Sequence, residues 1–287
     1  MITLENDYLK ATINLHGAEL SSLFLKASDT EYLWNGDTTF WPRQSPVLFP
    51  IVGGLIDDTF VYKGKSYQLP KHGFARDVSF EVEESSAERA SFVLRSSEES
   101  LIYYPFDFLL RIIYTLNGST IAVGYEVENP SGEILYFSIG AHPAFNVPLK
   151  EGAAYEDYYL EFDKEETAPQ YILTGNIVTG DSPFFSQQKT LPLHASLFYD
   201  DALIFKNLDS TKISLRSTKS PQGLTFDFEG FPYMGIWAAK DAPFVCIEPW
   251  CGIADFKGHS QKLEEKEGII ALPAGEKWAN GWSVECF

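Results

Sequence analysis

Residues 108–128 constrain the fold more than any other stretch of the chain. Phe108-Leu109-Leu110-Arg111-Ile112-Ile113-Tyr114-Thr115-Leu116 is apolar and rich in β-branched residues, and Asn117-Gly118 follows it. From Thr120 to Glu128 the side chains alternate, with Ile121, Val123, Tyr125 and Val127 on one face and Glu126 and Glu128 on the other. Successive strand side chains point to opposite sides, and Asn-Gly accepts the positive φ that a tight turn demands. The segment therefore predicts a β-hairpin with one face covered and one wet, the mark of an antiparallel sheet.

Other segments repeat the pattern. Thr59–Tyr62 and Ser66–Leu69 flank Lys63-Gly64-Lys65 as a shorter hairpin, and Leu224, Phe226 and Phe228 alternate with Thr225, Asp227 and Glu229. Phe80–Val82, Ser91–Leu94, Lys212–Leu215 and Trp282–Cys286 also read as strands. Apolar spacing at i, i+3, i+4 is not sustained anywhere; only Pro192–Leu197 and a turn near Gln261–Glu267 read as short helices. No linker, repeat or low-complexity tract interrupts the 287 residues. The expectation is an all-β chain forming one domain over residues 1–287, a large antiparallel β-sandwich, although periodicity alone does not separate sandwich from barrel.

Charge and motifs narrow the function by exclusion. A formal net charge of −18 repels nucleic-acid backbones and anionic membranes. The three cysteines, Cys246, Cys251 and Cys286, form no CxxC and favour a reducing compartment. Met1-Ile2-Thr3-Leu4-Glu5 opens no signal peptide, and no apolar run of 18 residues occurs, so a cytoplasmic location is expected. GxGxxG, the P-loop, HExxH and GxSxG are all absent, so no nucleotide, nicotinamide or metal cofactor is expected.

Three segments join titratable residues to turns and aromatic neighbours. In Pro70-Lys71-His72-Gly73-Phe74-Ala75-Arg76, proline and glycine place His72 on a loop or strand edge, and Arg76 can clamp a ligand oxygen or pair structurally. In Gly140-Ala141-His142-Pro143-Ala144-Phe145, Pro143 holds His142 extended, fit for a general acid or a hydrogen-bonded core histidine. Phe244-Val245-Cys246-Ile247-Glu248-Pro249-Trp250 puts Glu248 at the end of a buried strand. A carboxylate there is held by backbone N–H groups or has its pKa raised towards that of a base. Trp250 beside it can exclude water or stack on a sugar, whereas His16, His194 and His259 lack such contexts.

At these segments, together with Ser45-Pro46-Val47-Leu48-Phe49-Pro50-Ile51-Val52-Gly53, the chain resembles the aldose 1-epimerase (galactose mutarotase-like) superfamily, and most closely its branch containing the X protein of lactose operons. The resemblance spans nearly the full length and implies a galactose mutarotase-like supersandwich that binds a hexose and needs no cofactor. It implies that His142 protonates the ring oxygen while Glu248 takes the proton of the anomeric hydroxyl. It further implies that His72 hydrogen-bonds the sugar near the ring oxygen, that Arg76 binds it, and that Asp201, or its neighbour Asp200, holds sugar hydroxyls. His142 and Glu248 are then expected to face one another across a cleft wide enough for a pyranose. The hexose-6-phosphate branch carries Arg-Gly-Gly-Ile-Pro where this chain has Pro42-Arg43-Gln44-Ser45-Pro46, which favours a neutral sugar. The asparagine-arginine segment of galactose mutarotases is missing, so a galactose preference does not follow. A hexose-6-phosphate epimerase, a non-catalytic sugar sensor and a glycosidase are the alternatives, the last weakened because only Glu248 stands out as a carboxylate.

Overall fold

The computed structural model describes all 287 residues. Two large antiparallel sheets dominate it. The first has nine strands in the order Gln188–Pro192, Tyr158–Glu166, Lys212–Ser217, Leu224–Asp227, Lys277–Cys286, Thr120–Glu128, Leu109–Asn117, Arg89–Arg95 and Glu81–Ser85. The second runs Ile177–Pro183, Pro169–Thr174, Leu203–Lys206, Tyr233–Trp237, Phe244–Cys251, Ile139–Ala141 and Val47–Leu48, with Ala144–Asn146 also paired to Phe244–Cys251. A four-stranded sheet, Ile2–Glu5, Leu9–Ile13, Leu20–Leu25 and Thr30–Glu31, adds the N-terminal segment.

The alternation read in the sequence is the alternation of burial. Ile121, Val123, Tyr125 and Val127 are buried with Leu110, Ile112 and Tyr114 of the paired strand. These residues belong to one continuous core of 71 buried side chains that takes members from both large sheets, so the sheets pack face to face. On the wet face Arg111 lies opposite Glu126 and bonds it at 2.8 Å, a cross-strand pair of opposite charge.

The first hairpin turns one residue later than Asn-Gly predicts. Asn117 pairs with Thr120, leaving Gly118 and Ser119 as the loop, with Gly118 at φ 57°. Only the first loop residue takes positive φ, the pattern of a type II′ turn with glycine first. In the second hairpin the loop is Lys63-Gly64, both at positive φ, and the returning strand is Lys65–Gln68 rather than starting at Ser66. The expected helix at Pro192–Leu197 is the end of a strand followed by a 3₁₀ turn at Ala195–Phe198, and that near Gln261–Glu267 is a 3₁₀ turn at Leu263–Glu265. No helix is long and apolar enough to cross a membrane.

The strand Phe244–Cys251 is buried at every residue. Val245 and Ile247 enter the main core, while Trp250 joins Leu48, Val52, Val178, Ile204, Tyr233, Ile253 and Ala254 in a second apolar cluster. That smaller cluster borders the cavity described next.

Candidate active site

Strand register brings the two most suspicious residues together. Phe244–Cys251 is met along one edge first by Ala144–Asn146, with Ala144 opposite Cys246, and then by Ile139–Ala141, with Gly140 opposite Trp250. Both stretches share one register, which carried across the gap sets position 142 opposite position 248. Pro143 lacks an N–H, so the ladder opens here, although its carbonyl accepts from Ile247 N–H at 3.3 Å. Nε2 of His142 lies 3.2 Å from Oε2 of Glu248. This corrects the expected arrangement: the groups touch as a cross-strand pair, and the cavity opens over both rather than between them.

Both members of the pair are nearly dry. Glu248 is 2% exposed and His142 is 8% exposed. Burial drives the Glu248 carboxyl well above the usual carboxylate range, with Lys71 drawing it partly back. Burial also drives His142 down to about 3, and the nearby Arg76, Lys71 and Arg43 cations push the same way. Burial thus disfavours the charge on each group, and the 3.2 Å contact sets the two close enough to exchange a proton. Trp41 stacks on the imidazole at 4.8 Å between ring centroids, and Trp237 meets it edge-on at 5.6 Å. Nδ1 of His142 has no hydrogen-bond partner, so these indoles orient the ring.

A cavity of about 380 Å³ lies over the pair, within the range of small-molecule sites. The structure places His72, Arg76, Asp201 and Trp250 on its wall together with His142 and Glu248. His72 sits on a loop at φ 69°; its own N–H donates to Gly53 O at 2.9 Å, and its Nδ1 accepts Gly53 N–H at 3.1 Å. Burial keeps this ring neutral, so its hydrogen stands on Nε2 as a donor. Gly73 is required here: at φ 69° a Cβ would come within 2.3 Å of Phe49 O. Arg76 is held by Lys71 O at 2.7 Å. Asp201 accepts Ala202 N–H at 2.7 Å and lines the cavity, whereas Asp200 is exposed and off its wall. Arg43 is also off the wall, bonded to Asp77 at 2.7 Å.

Sequence reasoning missed Trp41, Trp237 and Lys71. Lys71 stands inside a motif already singled out, but neither tryptophan has a local signal, because each reaches the cavity only through the fold. Donor atoms of His142, Cys246 and Glu248 come within 4.8 Å of one another, a set able to ligate a metal. The Cys246 thiol is pushed well up by burial, and its side chain lies off the cavity wall, so the proton-sharing pair is the chemistry this geometry presents. His259 is structural: Nδ1 accepts Gln261 N–H at 3.1 Å.

The pattern of the aldose 1-epimerase family matches residues 1–284. The chain belongs to the aldose 1-epimerase family. Family membership makes it an isomerase by class. It is 38% identical over 282 residues, 94% of each chain, to the chromosomal LacX protein of Lactococcus lactis subsp. lactis. Among solved structures it is similar to a galactose mutarotase related enzyme from Lactobacillus acidophilus (TM-score 0.95, 36% identity, 99% of this chain and 96% of that one). A galactose mutarotase-like protein from Lactobacillus casei ATCC 334 gives a TM-score of 0.93 at 35% identity, with both chains fully covered. The all-β sandwich expected from alternation is thus the galactose mutarotase-like fold of this epimerase family.

Proposed function

We propose that the protein interconverts the α and β anomers of a free hexose by proton exchange with the His142–Glu248 pair. The observation that carries this reading is the 3.2 Å contact between two desolvated, oppositely perturbed groups at the floor of a sugar-sized cavity. Mutarotation needs a proton taken from O1 and another delivered to O5. Both oxygens are bonded to C1, so a donor and an acceptor side by side serve them at once. From the state with the mobile proton on His142, Glu248 takes the O1 proton as that O–H pair becomes the C1=O1 bond. The C1–O5 bonding pair moves to O5, which takes the proton of His142. The aldehyde turns about C1–C2, and the reverse steps close the ring on its other face. Net charge in the dry site is unchanged throughout, which suits two groups that burial keeps from holding charge apart. Nε2–H of His72 is assigned as a donor to the ring-oxygen side, and Asp201 and Arg76 are assigned to hydroxyls.

Anomer exchange of free and phosphorylated hexoses, followed by NMR, tests this. Glu248→Gln and His142→Ala are each expected to lose at least roughly 10²-fold in rate while the fold persists. Wild-type rates in both variants would reject the reading, and sugar binding with no acceleration in the native protein would make it a sensor. A hexose-6-phosphate substrate is favoured by one observation, that the cations Lys71 and Arg76 both line the cavity. Preference for the phosphorylated sugar, with steep loss on Arg76→Ala, would establish it.

A further inference from the structure

The proton-transfer chemistry makes no use of the way Trp250 is seated. The side chain is only 4% exposed, which leaves little face for a sugar to stack on, and its Nε1 is buried without a hydrogen-bond partner. A buried donor left open is unfavourable unless some state of the protein satisfies it. The ring lies across the eight-stranded sheet, over one glycine on each neighbouring strand. A Cβ on Gly140, which pairs with Trp250, would stand 2.6 Å from Trp250 Cδ1. A Cβ on Gly235, which pairs with Glu248 from the other side, would stand 2.5 Å from Trp250 Cζ2. Any larger residue at either position would lift or turn the indole. Trp250 and Glu248 are two residues apart on one strand and share a face. Seated this way, the N–H comes close enough to favour the ionised Glu248 carboxyl, without closing a full hydrogen bond.

We propose that Trp250 is a positioning residue: Gly140 and Gly235 seat its indole so that Nε1–H donates to Glu248 as the carboxylate forms, fixing which oxygen meets the sugar. The inference rests on Glu248 being a proton-transfer group. Oε2 already faces His142. A donor on the carboxylate from the indole side leaves the remaining approach for the anomeric hydroxyl. The other charged or titratable groups around Glu248 are His142, opposite it between Ile139–Ala141 and Ala144–Asn146, Cys246 on its own strand, and Lys71, His72, Arg76 and Asp201 on the cavity wall.

Trp250→Phe keeps a buried ring and deletes the donor. The expected result is a fall in kcat of roughly tenfold or more, the scale of one hydrogen bond to a charged group, with KM within about threefold. The acid limb of the kcat profile should move to higher pH, because the carboxylate loses a group that favours its charged form. Gly235→Ala keeps the indole but displaces it, and should give the same split and the same movement. If Trp250→Phe perturbs folding, as read by near-ultraviolet circular dichroism, Gly235→Ala carries the test alone. Wild-type kcat and acid limb, or a rise in KM alone, would overturn the proposal. Glu248→Gln separates the two levels. An active Glu248→Gln defeats the proton-transfer reading itself, whereas an inactive one beside a wild-type-like Trp250→Phe defeats only this inference.

Discussion

Replacing Lys266 by methionine should destabilise the protein far more than removing any surface ion pair. Nζ of Lys266 bonds Asp255 Oδ1 at 2.8 Å and Ile253 O at 2.7 Å, and both side chains are 1% exposed. Asp255 Oδ2 accepts Ile56 N–H at 3.0 Å, and Asp255 N–H bonds Gly54 O, so the pair pins the loops that form one wall of the cavity. Methionine fills much of the same space but leaves a buried carboxylate without its cation. Breaking a buried pair from one side costs about 3–5 kcal/mol. At roughly 2–4 °C per kcal/mol for a chain somewhat smaller than this one, Tm should fall by about 6–20 °C. Lys63→Met is the control. Its pair with Glu133 is as short, 2.6 Å, but the side chains are 60% and 65% exposed. A pair so exposed is screened by water and salt and is expected to contribute little to stability. Thermal melts by circular dichroism at pH 7 give the comparison, and Lys266→Met combined with Asp255→Leu should recover part of the loss by removing the stranded charge. Equal, small shifts for Lys266→Met and Lys63→Met would refute the reasoning, since burial and the bonds it encloses set the Lys266 pair apart.

Two further outcomes follow from the site. The Glu248 carboxyl titrates above its unfolded value of 4.5, so the folded chain holds that proton more tightly. Stability from this group is complete below about pH 4.5 and is lost as pH rises towards the folded pKa; Glu248→Gln should therefore gain Tm over wild type at pH 8 relative to the same comparison at pH 4, and a difference independent of pH would contradict it. Gly73→Ala must move a Cβ away from Phe49 O at a positive φ, and should lower Tm and weaken sugar binding measured calorimetrically by shifting His72; an unperturbed variant would mean that the loop yields at no cost.

Strands bordering solvent were legible because water reads their outer faces. Thr120–Glu128 shows its pattern in the letters since Glu126 and Glu128 face out while Tyr125 and Val127 face in. Phe244–Cys251 shows no polar alternation, because both of its faces are covered, and Glu248 is visible there only as a charged residue in an apolar run. Turn positions were less legible: Asn117-Gly118 marks the hairpin, but cross-strand register moves the loop to Gly118-Ser119. Of the site, Lys71-His72-Gly73, His142-Pro143 and Glu248-Pro249-Trp250 were marked by proline, glycine and buried charge, whereas Trp41 and Trp237 were not, as ordinary aromatic residues whose approach to His142 depends on loop and strand placement.

Local patterning, which depends on neighbours one to four positions away, determined that this chain is antiparallel β and that His142 and Glu248 each end or interrupt an apolar strand. It did not determine which of five histidines would meet which of forty acidic residues. That was decided by register between strands more than a hundred residues apart in the chain, because pairing Ala144 with Cys246 and Gly140 with Trp250 sets position 142 opposite position 248. Their perturbed titration likewise belongs to the tertiary structure, since water is excluded only when Trp41, Trp237 and the second apolar cluster close around them.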